Sequence, residues 1–445
     1  MKPIALILTI FLWTSCQAQH QPDIEEGQMP LYEHLVEKIT AADNGAAAEK
    51  IVGQTDGKRL VLMGEASHGT AEFYNRRAML SKKLIEEKGF NFIAVEGDWA
   101  AIFQLNKYIK DLPGAAGSAA EVLHAFDRWP EWMWGNTEVE KLAEWMREFN
   151  EDRPEDEKVG FYGIDVYGQW EALEKLHLLV ERFQADLASE VSELLACYEE
   201  FKGNEWDYAG MVFRGMTSSC EEDLAALLEK LESGAHSAGN WADYEFFRLH
   251  QKGLVLKNSE KHVRLAANDR GGSWNARVNH FWQTTQRLLE KYGPDSRGIV
   301  WAHNTHVGDA SHTTIMRMQG QVNIGQLSRE ELGEENVFIL GFGTFTGRVN
   351  AGSEWGSPMQ IMNVPESPSG TYEHLLSQMP KEEFAMVFDS EDRQFQPLRE
   401  YIGHRAIGVV YNPRQESGNY VPTRIAHRYD GFWFIRKTNE LEVVE

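Results

Sequence analysis

The sequence predicts an α/β fold, in which a mostly parallel central sheet is covered by helices. Three observations support this prediction. Short apolar runs rich in β-branched residues recur at wide intervals, and long segments with helical periodicity separate them. Polar and ionisable residues follow the carboxyl ends of these runs. Because ligands of open α/β sheets bind outside the carboxyl ends of the strands, we expect the active site at that edge.

Six apolar runs are the predicted strands. Continuous runs of this kind are typical of strands that are buried on both faces, and their alternation with helices favours parallel pairing. The runs are RLVLMGE (59–65), FNFIAVEGD (90–98), KVGFYGID (158–165), RGIVWAHNTH (297–306), NVFILGFGTF (336–345) and RAIGVVYN (405–412).

Between about residues 170 and 292 the pattern is helical throughout, as in EALEKLHLLVERF and SSCEEDLAALLEKLES. We interpret this segment as a helical insertion that forms a lid over one end of the sheet. A plain helical layer is the alternative, and the pattern does not separate the two. Cys197 and Cys220 lie in this segment. They can form a disulfide in an oxidising compartment or remain as two buried thiols.

The first 18 residues have the pattern of a secretory signal peptide. Lys2 gives a positive start, residues 4–13 form an apolar stretch too short to span a bilayer, and small and polar residues follow. Cys16 stands where a lipoprotein signal places its lipidated cysteine, and cleavage after Ala18 is the alternative. We therefore expect an exported protein, either periplasmic or anchored to a membrane through a lipid on Cys16.

The polar segment 19–31 is interpreted as a tether, and residues 32–445 as one domain that contains the helical insertion. Acidic residues outnumber basic ones by 68 to 44, which gives the 445-residue chain a formal charge of −24. Binding to nucleic acid requires clusters of Lys and Arg that neutralise phosphates. The composition therefore argues against nucleic acid as a partner.

Four of the predicted strands lead into carboxylates or imidazoles. A single histidine after a strand is more often structural, but the joint occurrence of such residues at one edge favours a functional site. They are Glu65 and His68 after the first run, Glu96 and Asp98 in the second, Asp165 in the third, and His303 and His306 after the fourth.

The helix predicted after the first strand carries an arginine on its apolar face. Arg77 lies four residues after Phe73 and three before Leu80, within the stripe that is expected to be buried. An unpaired buried charge is very costly, so we expect Arg77 to pair with Glu65 or Glu96. The alternative is an arginine whose stem packs in the core while its charged head reaches water.

The residue types at this edge favour direct hydrolysis by activated water. The sequence has no G-x-S-x-G motif, and no cysteine lies near these residues, which argues against a serine or cysteine nucleophile. A neutral histidine takes a proton from water while a carboxylate orients its ring and stabilises the charged form. The alternative is a metal site formed by His303, His306, His68, Glu65 and Glu96.

Several stretches of the chain resemble the erythromycin esterase family. They occur in the expected order from about residue 32 to 440, and GEASHGT together with WAHNTHVGDA is highly specific. The matching stretches are GEASHGTAEFYNRRAML, FIAVEGDWA, FDRWPEWMWGNTEVEKLAEWMREFN, VGFYGIDVYG, IVWAHNTHVGDA, NIGQL and RAIGVVYNP.

The resemblance implies an α/β fold with a helical elaboration, and hydrolysis of a small-molecule ester or lactone. In the best-known members this reaction opens the ring of macrolide antibiotics and underlies antibiotic resistance. The resemblance also implies that His68 is the general base. We expect no cofactor, with a divalent metal ion as the alternative given above. The other active-site residues that the resemblance implies are Glu65, Arg77, Glu96, His303 and His306.

Four residues are assigned to substrate binding. Arg277 lies in the segment GGSWNARVNHFWQTTQRLL (271–289). Directly after it, Val278 stands in place of the acidic residue expected in many relatives, so we expect the substrate contacts of this segment to differ from theirs. The four are His306, Arg277, Trp134 and Asp98.

The tryptophan-rich stretch RWPEWMWGN (128–136) has two interpretations. Its aromatic rings stack on a substrate, or they pack on the sheet as part of the core. We expect the second for Trp132 and leave both open for Trp134. Asp127 and Arg128 are expected to form a surface ion pair of little energetic value.

Two other functions remain open on the sequence alone. The first is a metal- or haem-binding envelope protein of the same fold. The second is a catalytically idle envelope protein whose cleft binds a sugar polymer. Retention of the full set of His, Glu and Arg residues argues against the idle protein, because an inactive cleft does not require a buried arginine with matched carboxylates.

Overall fold

The computed structural model describes residues 29–238 and 244–444. The predicted signal peptide, Cys16 and most of the predicted tether lie outside this part of the chain. The first helix begins at Met29, three residues inside the segment predicted to be a tether. Within the described residues, no helix combines the length and the apolar character that a membrane crossing requires.

A nine-stranded sheet forms the centre of the molecule. A separate two-stranded antiparallel sheet consists of β9 (Ile402–Arg405) and β10 (Tyr420–Thr423). The strands of the central sheet are β1 (Thr40–Ala41), β2 (Leu60–Met63), β3 (Phe92–Asp98), β4 (Gly160–Asp165), β5 (Gly298–Trp301), β6 (Val337–Ala351), β7 (Gln360–Val364), β8 (Glu383–Val387) and β11 (Gly431–Thr438).

The strand order is β1-β8-β11-β6-β2-β5-β3-β4, with β7 paired to the far end of β6. The six strands from β11 to β4 pair in parallel. Antiparallel pairing is confined to β1 with β8, β8 with β11, and β6 with β7. The prediction of a mostly parallel sheet covered by helices is therefore confirmed.

Side chains alternate between two hydrophobic clusters on opposite faces of the sheet. In β2, Leu60 and Leu62 belong to one cluster, whereas Val61 and Met63 belong to the other. This follows from the two-residue period of a strand. Both faces are covered, and for that reason the predicted strands read as continuous apolar runs rather than as alternating patterns.

Seventeen α-helices lie within the described residues. They are α1 (Met29–Lys38), α2 (Ala46–Gly53), α3 (Ala71–Lys88), α4 (Trp99–Lys110), α5 (Ala119–His124), α6 (Thr137–Asn150), α7 (Gln169–Phe183), α8 (Ala188–Glu199), α9 (Glu205–Phe213), α10 (Glu221–Ala238), α11 (Tyr244–Ala266), α12 (Arg270–Lys291), α13 (Asn304–Val307), α14 (Thr314–Met318), α15 (Ile324–Leu332), α16 (Tyr372–Ser377) and α17 (Ile425–Arg428).

The last predicted strand is wrong. Only Arg405 of the run 405–412 lies in a strand, and that strand belongs to the small sheet. The run instead packs against loops at the carboxyl edge of the central sheet, where the Ile407 N–H donates to the Ala66 carbonyl at 2.8 Å. The sheet uses β8 and β11 in its place, and the sequence pattern did not single out either of them. The aromatic run GFWFIRKT of β11 contains few β-branched residues.

The segment between about residues 170 and 292 consists of helices α7 to α12 in its described part. Cys197 and Cys220 form a disulfide in this segment, with a Cα–Cα distance of 5.8 Å. Helices α7, α11 and α12 contribute residues to the wall of the cleft described next. The segment therefore covers one side of the carboxyl edge of the sheet.

Candidate active site

The turn after β2 builds the first half of the site. Glu65 is fully buried there and uses both carboxylate oxygens. Its Oε1 lies 2.8 Å from Nδ1 of His68, and its Oε2 accepts a hydrogen bond from Nη2 of Arg77 at 2.6 Å. An ionised carboxylate only accepts hydrogen bonds, so His68 carries a proton on Nδ1. The other ring nitrogen, Nε2, is left to act toward the cleft that His68 lines.

Arg77 fixes Glu65 from behind. Its side chain has no exposed surface, and its guanidinium lies between the rings of Tyr74 and Trp301, at 4.5 and 4.8 Å from their centroids. The predicted pairing of Arg77 with a strand-end carboxylate is therefore confirmed, and Glu65 is the partner. The alternative, an arginine whose head reaches water, is wrong.

Glu96 at the end of β3 builds the second half. Its Oε1 accepts from Nη2 of Arg277 at 2.9 Å and lies 3.2 Å from Nε2 of His306. Its Oε2 accepts from the backbone N–H of His303 at 2.8 Å. A single carboxylate thus holds the segment after β5 and helix α12 against β3.

Asp165 at the end of β4 supports the same arginine. Nε and Nη2 of Arg277 donate to its two oxygens at 2.9 and 2.6 Å. The remaining nitrogen, Nη1, lies 3.3 Å from Nε2 of His306. The sequence placed Asp165 at the right edge of the sheet but did not assign it to the site. Its role became visible only through Arg277, which is 112 residues away in sequence.

His303 faces His68, with a ring-centroid distance of 5.0 Å. Its Nδ1 accepts from the backbone N–H of Thr305 at 3.2 Å and lies 2.8 Å from the hydroxyl of that residue. A nitrogen that accepts a hydrogen bond carries no proton, so the proton of neutral His303 is on Nε2. This atom is buried and makes no well-aligned hydrogen bond among the described residues, although the Ala66 backbone lies near enough to the ring to act on its pKa. The two rings therefore present opposite chemistry, a lone pair on His68 Nε2 and an N–H on His303 Nε2.

Three pKa shifts match this arrangement. Burial acts to lower the pKa of His68, but the hydrogen bond to Glu65 and the charge of Glu96 outweigh it and raise the pKa. Burial and the neighbouring His68 hold the pKa of His303 well below its usual range. For Glu96, burial acts to raise the pKa, but His306, His68 and Arg277 bring it well below the usual range. His303 is therefore neutral and Glu96 is ionised, whereas the pKa of His68 lies above its usual value.

These groups line a cleft of about 1210 Å³. Apolar residues form much of its wall beyond the ionisable groups. Among the lining residues are His68, Glu96, Asp98, Ile102, Phe103, Val122, Phe126, Arg128, Met133, Trp134, Asp165, Tyr167, Arg277, His303, Thr305, His306, Trp355 and Val409. Glu65 and Arg77 do not line the cleft. Glu65 acts by holding His68, and Arg77 acts by holding Glu65.

The residues predicted to bind substrate have different surroundings. Trp134 is buried in the wall and donates its Nε1–H to the Glu96 carbonyl at 3.1 Å. Trp132, as expected, belongs to the core. The ring of His306 is stacked on Trp274 at 4.5 Å, with an angle of 8° between the planes.

Asp98 caps the start of α4, where its Oδ1 accepts from the Ala101 N–H at 3.1 Å. Its Oδ2 accepts from Nε of Arg128. The expected surface pair of Asp127 with Arg128 is therefore wrong, because Arg128 turns into the cleft toward Asp98. The partner that Arg128 uses, Asp98, lies on a different element and 30 residues earlier in the sequence.

A model of the erythromycin esterase family matches residues 85–438. The chain belongs to the erythromycin esterase family. It is 22% identical to erythromycin esterase type II from Escherichia coli over 424 aligned residues. The alignment covers 90% of this chain and 94% of that protein. The expected family membership is therefore confirmed, and with it a hydrolase of the esterase class.

Solved structures of low sequence identity share the fold. A protein described as a succinoglycan biosynthesis protein has a TM-score of 0.76 at 19% identity, over 95% of this chain and all of that one. An erythromycin esterase variant in its open conformation has a TM-score of 0.63 at 17% identity, over 89% of this chain and 95% of that one. At these identities the likeness shows the fold alone.

Nothing in the donor set of this family member supports the alternative of a metal or haem site. Both oxygens of Glu65 and both of Glu96 already receive hydrogen bonds from protein groups. Within residues 29–238 and 244–444, no three His, Cys, Asp or Glu side chains are placed to hold one metal ion. The carboxylates already bind the imidazoles and Arg277, an arrangement that fits a network of protein hydrogen bonds better than a metal shell.

Proposed function

We propose that this chain hydrolyses a carboxylic ester or lactone by water that His68 activates, without a covalent intermediate. The observation that carries the proposal is the hydrogen bond of Glu65 to Nδ1 of His68, which aims a basic Nε2 at the cleft. A lactone of the macrolide type is the first substrate to test, because a curated relative is an erythromycin esterase.

In the first step His68 Nε2 takes a proton from a water molecule, and the water oxygen attacks the acyl carbon. The imidazolium that forms is stabilised by Glu65 on Nδ1, and Arg77 holds Glu65 in place through the hydrogen bond to its other oxygen. General base catalysis of this kind contributes about 10²- to 10⁴-fold.

The attack places negative charge on the former carbonyl oxygen. The N–H on Nε2 of His303 is a buried donor without a well-aligned hydrogen bond among the described residues, and the centroid of its ring lies 5.0 Å from that of His68. It is suited to bind that oxygen, and its low pKa keeps it a neutral donor rather than a competing base. One oxyanion donor contributes about 10²- to 10³-fold.

Collapse of the tetrahedral intermediate breaks the bond to the alcohol oxygen. The alcohol leaves with the proton that His68 took from water, so the reaction yields one acid and one alcohol from one ester and one water. For a lactone both groups remain in one opened product. The enzyme returns to its starting state, with Nε2 of His68 unprotonated.

The deciding experiment is mass spectrometry of macrolides and simple lactones after incubation with the mature protein. We expect one panel member to gain one water, and the gain to be lost with His68→Ala. His427→Ala is the control, because His427 is exposed and does not line the cleft. Equal conversion by wild type and His68→Ala would sink the assignment of the base.

We also propose that the protein is exported and that its mature chain starts at a lipidated Cys16, with residues 32–445 as the folded domain. The signal-like first 18 residues and the disulfide of Cys197 with Cys220 support this location, because disulfides persist in oxidising compartments. The intact mass of protein from an envelope fraction tests it. A mass that corresponds to an unmodified chain beginning after Ala18 would replace the anchor with a periplasmic form.

A further inference from the structure

Arg77, Arg128 and Arg277 pair with the carboxylates of the site in different ways, and Arg248 also lines the cleft. Arg77 is buried behind Glu65 and does not line the cleft. Arg277 lines the cleft, but all three of its guanidinium nitrogens contact Asp165, Glu96 or His306.

Arg128 uses only one of its nitrogens. Nε donates to Asp98, and neither Nη1 nor Nη2 has a hydrogen-bond acceptor among the residues that the structure describes. Arg128 lines the cleft, and 40% of its side-chain surface is exposed. Two donors of a planar guanidinium are thus left to an acceptor in the cleft.

The guanidinium of Arg128 is held in position. Asp98 is fixed because its other oxygen caps α4 through the Ala101 N–H. The guanidinium also lies over the ring of Tyr167, 4.9 Å from its centroid. An arginine that is already oriented loses less side-chain entropy when a ligand binds, so its hydrogen bonds contribute more to affinity.

The charges around Arg128 decide which acceptor suits it. Asp98 already neutralises Arg128, and Asp165 with Glu96 outweighs the single charge of Arg277. Acidic Asp127 and Glu131 also line the cleft. Lys107, Lys175, Arg248 and Lys252 also line the cleft, but the carboxylates whose charges act on Arg128 are Asp98 and Asp165. A carboxylate bound to Arg128 would therefore meet these two negative charges, whereas an uncharged oxygen accepts from Nη1 and Nη2 without that repulsion.

We propose that Arg128 determines specificity by donating hydrogen bonds to an uncharged oxygen, a hydroxyl or a carbonyl, in the part of the ester that does not react. This inference rests on the proposed function of the same cleft. It narrows the substrate class to esters or lactones that carry a neutral oxygen substituent away from the bond that breaks. Arg128 binds and orients this substituent and takes no part in proton transfer.

The test compares three kinds of phenyl acetate with wild type and with Arg128→Gln. The ring carries a methyl, an acetyl or a carboxylate group, attached directly or through a two-carbon spacer. We expect Arg128→Gln to raise KM for the acetyl compounds by about 10-fold, because a hydrogen bond from a charged donor is lost. We expect kcat for these compounds, and both constants for the methyl compounds, to change by less than about 2-fold.

Arg153→Gln is the matched control. Arg153 also donates through Nε, to the Phe149 carbonyl, and also lies over an aromatic ring, but it does not line the cleft. Its substitution is expected to leave all constants unchanged. Arg128→Lys keeps the charge and one donor, so it is expected to restore part of the lost affinity for acetyl compounds.

Three results would overturn the inference. They are an equal loss for methyl and acetyl compounds, no loss for either, and a larger loss for the carboxylate compounds than for the acetyl ones. The last result would assign Arg128 to an anionic substrate instead.

A binding measurement separates this inference from the hydrolase reaction. The acetanilides that correspond to the three phenyl acetates are titrated calorimetrically into His68→Ala, with and without Arg128→Gln. Weaker binding of the acetyl compound alone on loss of Arg128 supports the inference even if wild type hydrolyses none of the esters. Equal binding in both backgrounds contradicts it, whatever the fate of the proposed reaction.

Discussion

Among the described residues, two His–Glu pairs share one geometry, in which a fully buried glutamate is held against Nδ1 of the histidine, and only one of these two pairs lies at the cleft. In the first, Glu65 holds Nδ1 of His68 at 2.8 Å after β2. In the second, Glu373 of α16 holds Nδ1 of His404 at 2.6 Å in β9. In both pairs the glutamate is fully buried.

The pairs differ at the other ring nitrogen. Nε2 of His404 lies 3.2 Å from the Tyr429 hydroxyl and 3.4 Å from Nδ2 of Asn304. His68 lines the cleft, and the centroid of its ring lies 5.0 Å from that of His303. A carboxylate beside an imidazole is therefore not sufficient for a catalytic base. The base also needs a free lone pair in contact with a space that water and substrate can enter.

The largest expected effect comes from removing the charge of each glutamate. Breaking a buried ion pair costs about 3–5 kcal/mol, so both Glu65→Gln and Glu373→Gln should lower the free energy of unfolding by several kcal/mol. Only Glu65→Gln should also lower kcat/KM by about 10²-fold or more, because His68 loses the group that stabilises its charged form. Urea denaturation and assay of the residual folded enzyme measure the two effects.

The comparison would fail if Glu373→Gln reduced kcat/KM as strongly as Glu65→Gln at a temperature where both variants are folded. The two pairs would then act as one network. Circular dichroism at the assay temperature is the control, since it shows that the assayed variants retain their helices.

A smaller effect is expected from pH. The base form of His68 is neutral, and its pKa is raised by Glu65 and Glu96 against the effect of burial. We therefore expect kcat/KM to rise through an apparent pKa above 6.5, and to fall by about tenfold per pH unit well below it. The profile of kcat/KM against pH measures this, and a limb at or below 6.5 would contradict the raised pKa.

The raised pKa of His68 should also make the free energy of unfolding depend on pH, in the opposite sense to kcat/KM. A pKa raised on folding gives a stabilising contribution that is complete below the unfolded value near 6.5 and is lost as pH rises through the folded value. Glu96 and Glu373 have lowered pKa values, because nearby cationic groups overcome burial. Their contributions are present above about pH 4.5 and are lost as pH falls. The most stable pH range is therefore expected between these limits, below the pH of full activity.

The sequence allowed some of this site to be predicted, because the relevant spacing is local. Glu65 and His68 are three residues apart at the end of one strand, and their contact depends on that turn alone. Arg77 lies within the apolar stripe of the next helix, so its pairing followed from helical periodicity and from the cost of a buried charge. Neither required knowledge of the tertiary structure beyond the strand edge.

Other parts depend on contacts between distant elements. Asp98 and Arg128 meet across 30 residues, and Asp165 and Arg277 meet across 112. The partner of His404 is 31 residues away, on a helix that packs on the small sheet. A periodic sequence pattern does not predict contacts between distant elements. The sequence therefore led us to pair Arg128 with its neighbour Asp127, and it did not reveal the pair of Glu373 with His404.

The smallest effect is expected for a substitution of Asn304, which contacts both the pair of Glu65 with His68 and the pair of Glu373 with His404. Asn304 is fully buried, its backbone N–H donates to the Glu65 carbonyl at 2.9 Å, and its Nδ2 donates to the Phe342 carbonyl at 2.7 Å beside His404. A Cβ added to Gly64 would lie only 2.0 Å from Asn304 Oδ1, so glycine is required for this close approach.

Asn304→Ala removes the side-chain bonds but keeps the backbone bond to Glu65. We expect it to cost about 1–3 kcal/mol of stability, because the Phe342 carbonyl is left without its buried donor. Its neighbour His303 carries the proposed oxyanion donor, so we expect a fall of about 10-fold in kcat with little change in KM. If kcat is unchanged while stability falls, Asn304 supports the fold alone, and the pair of Glu373 with His404 has no link to the chemistry of the cleft.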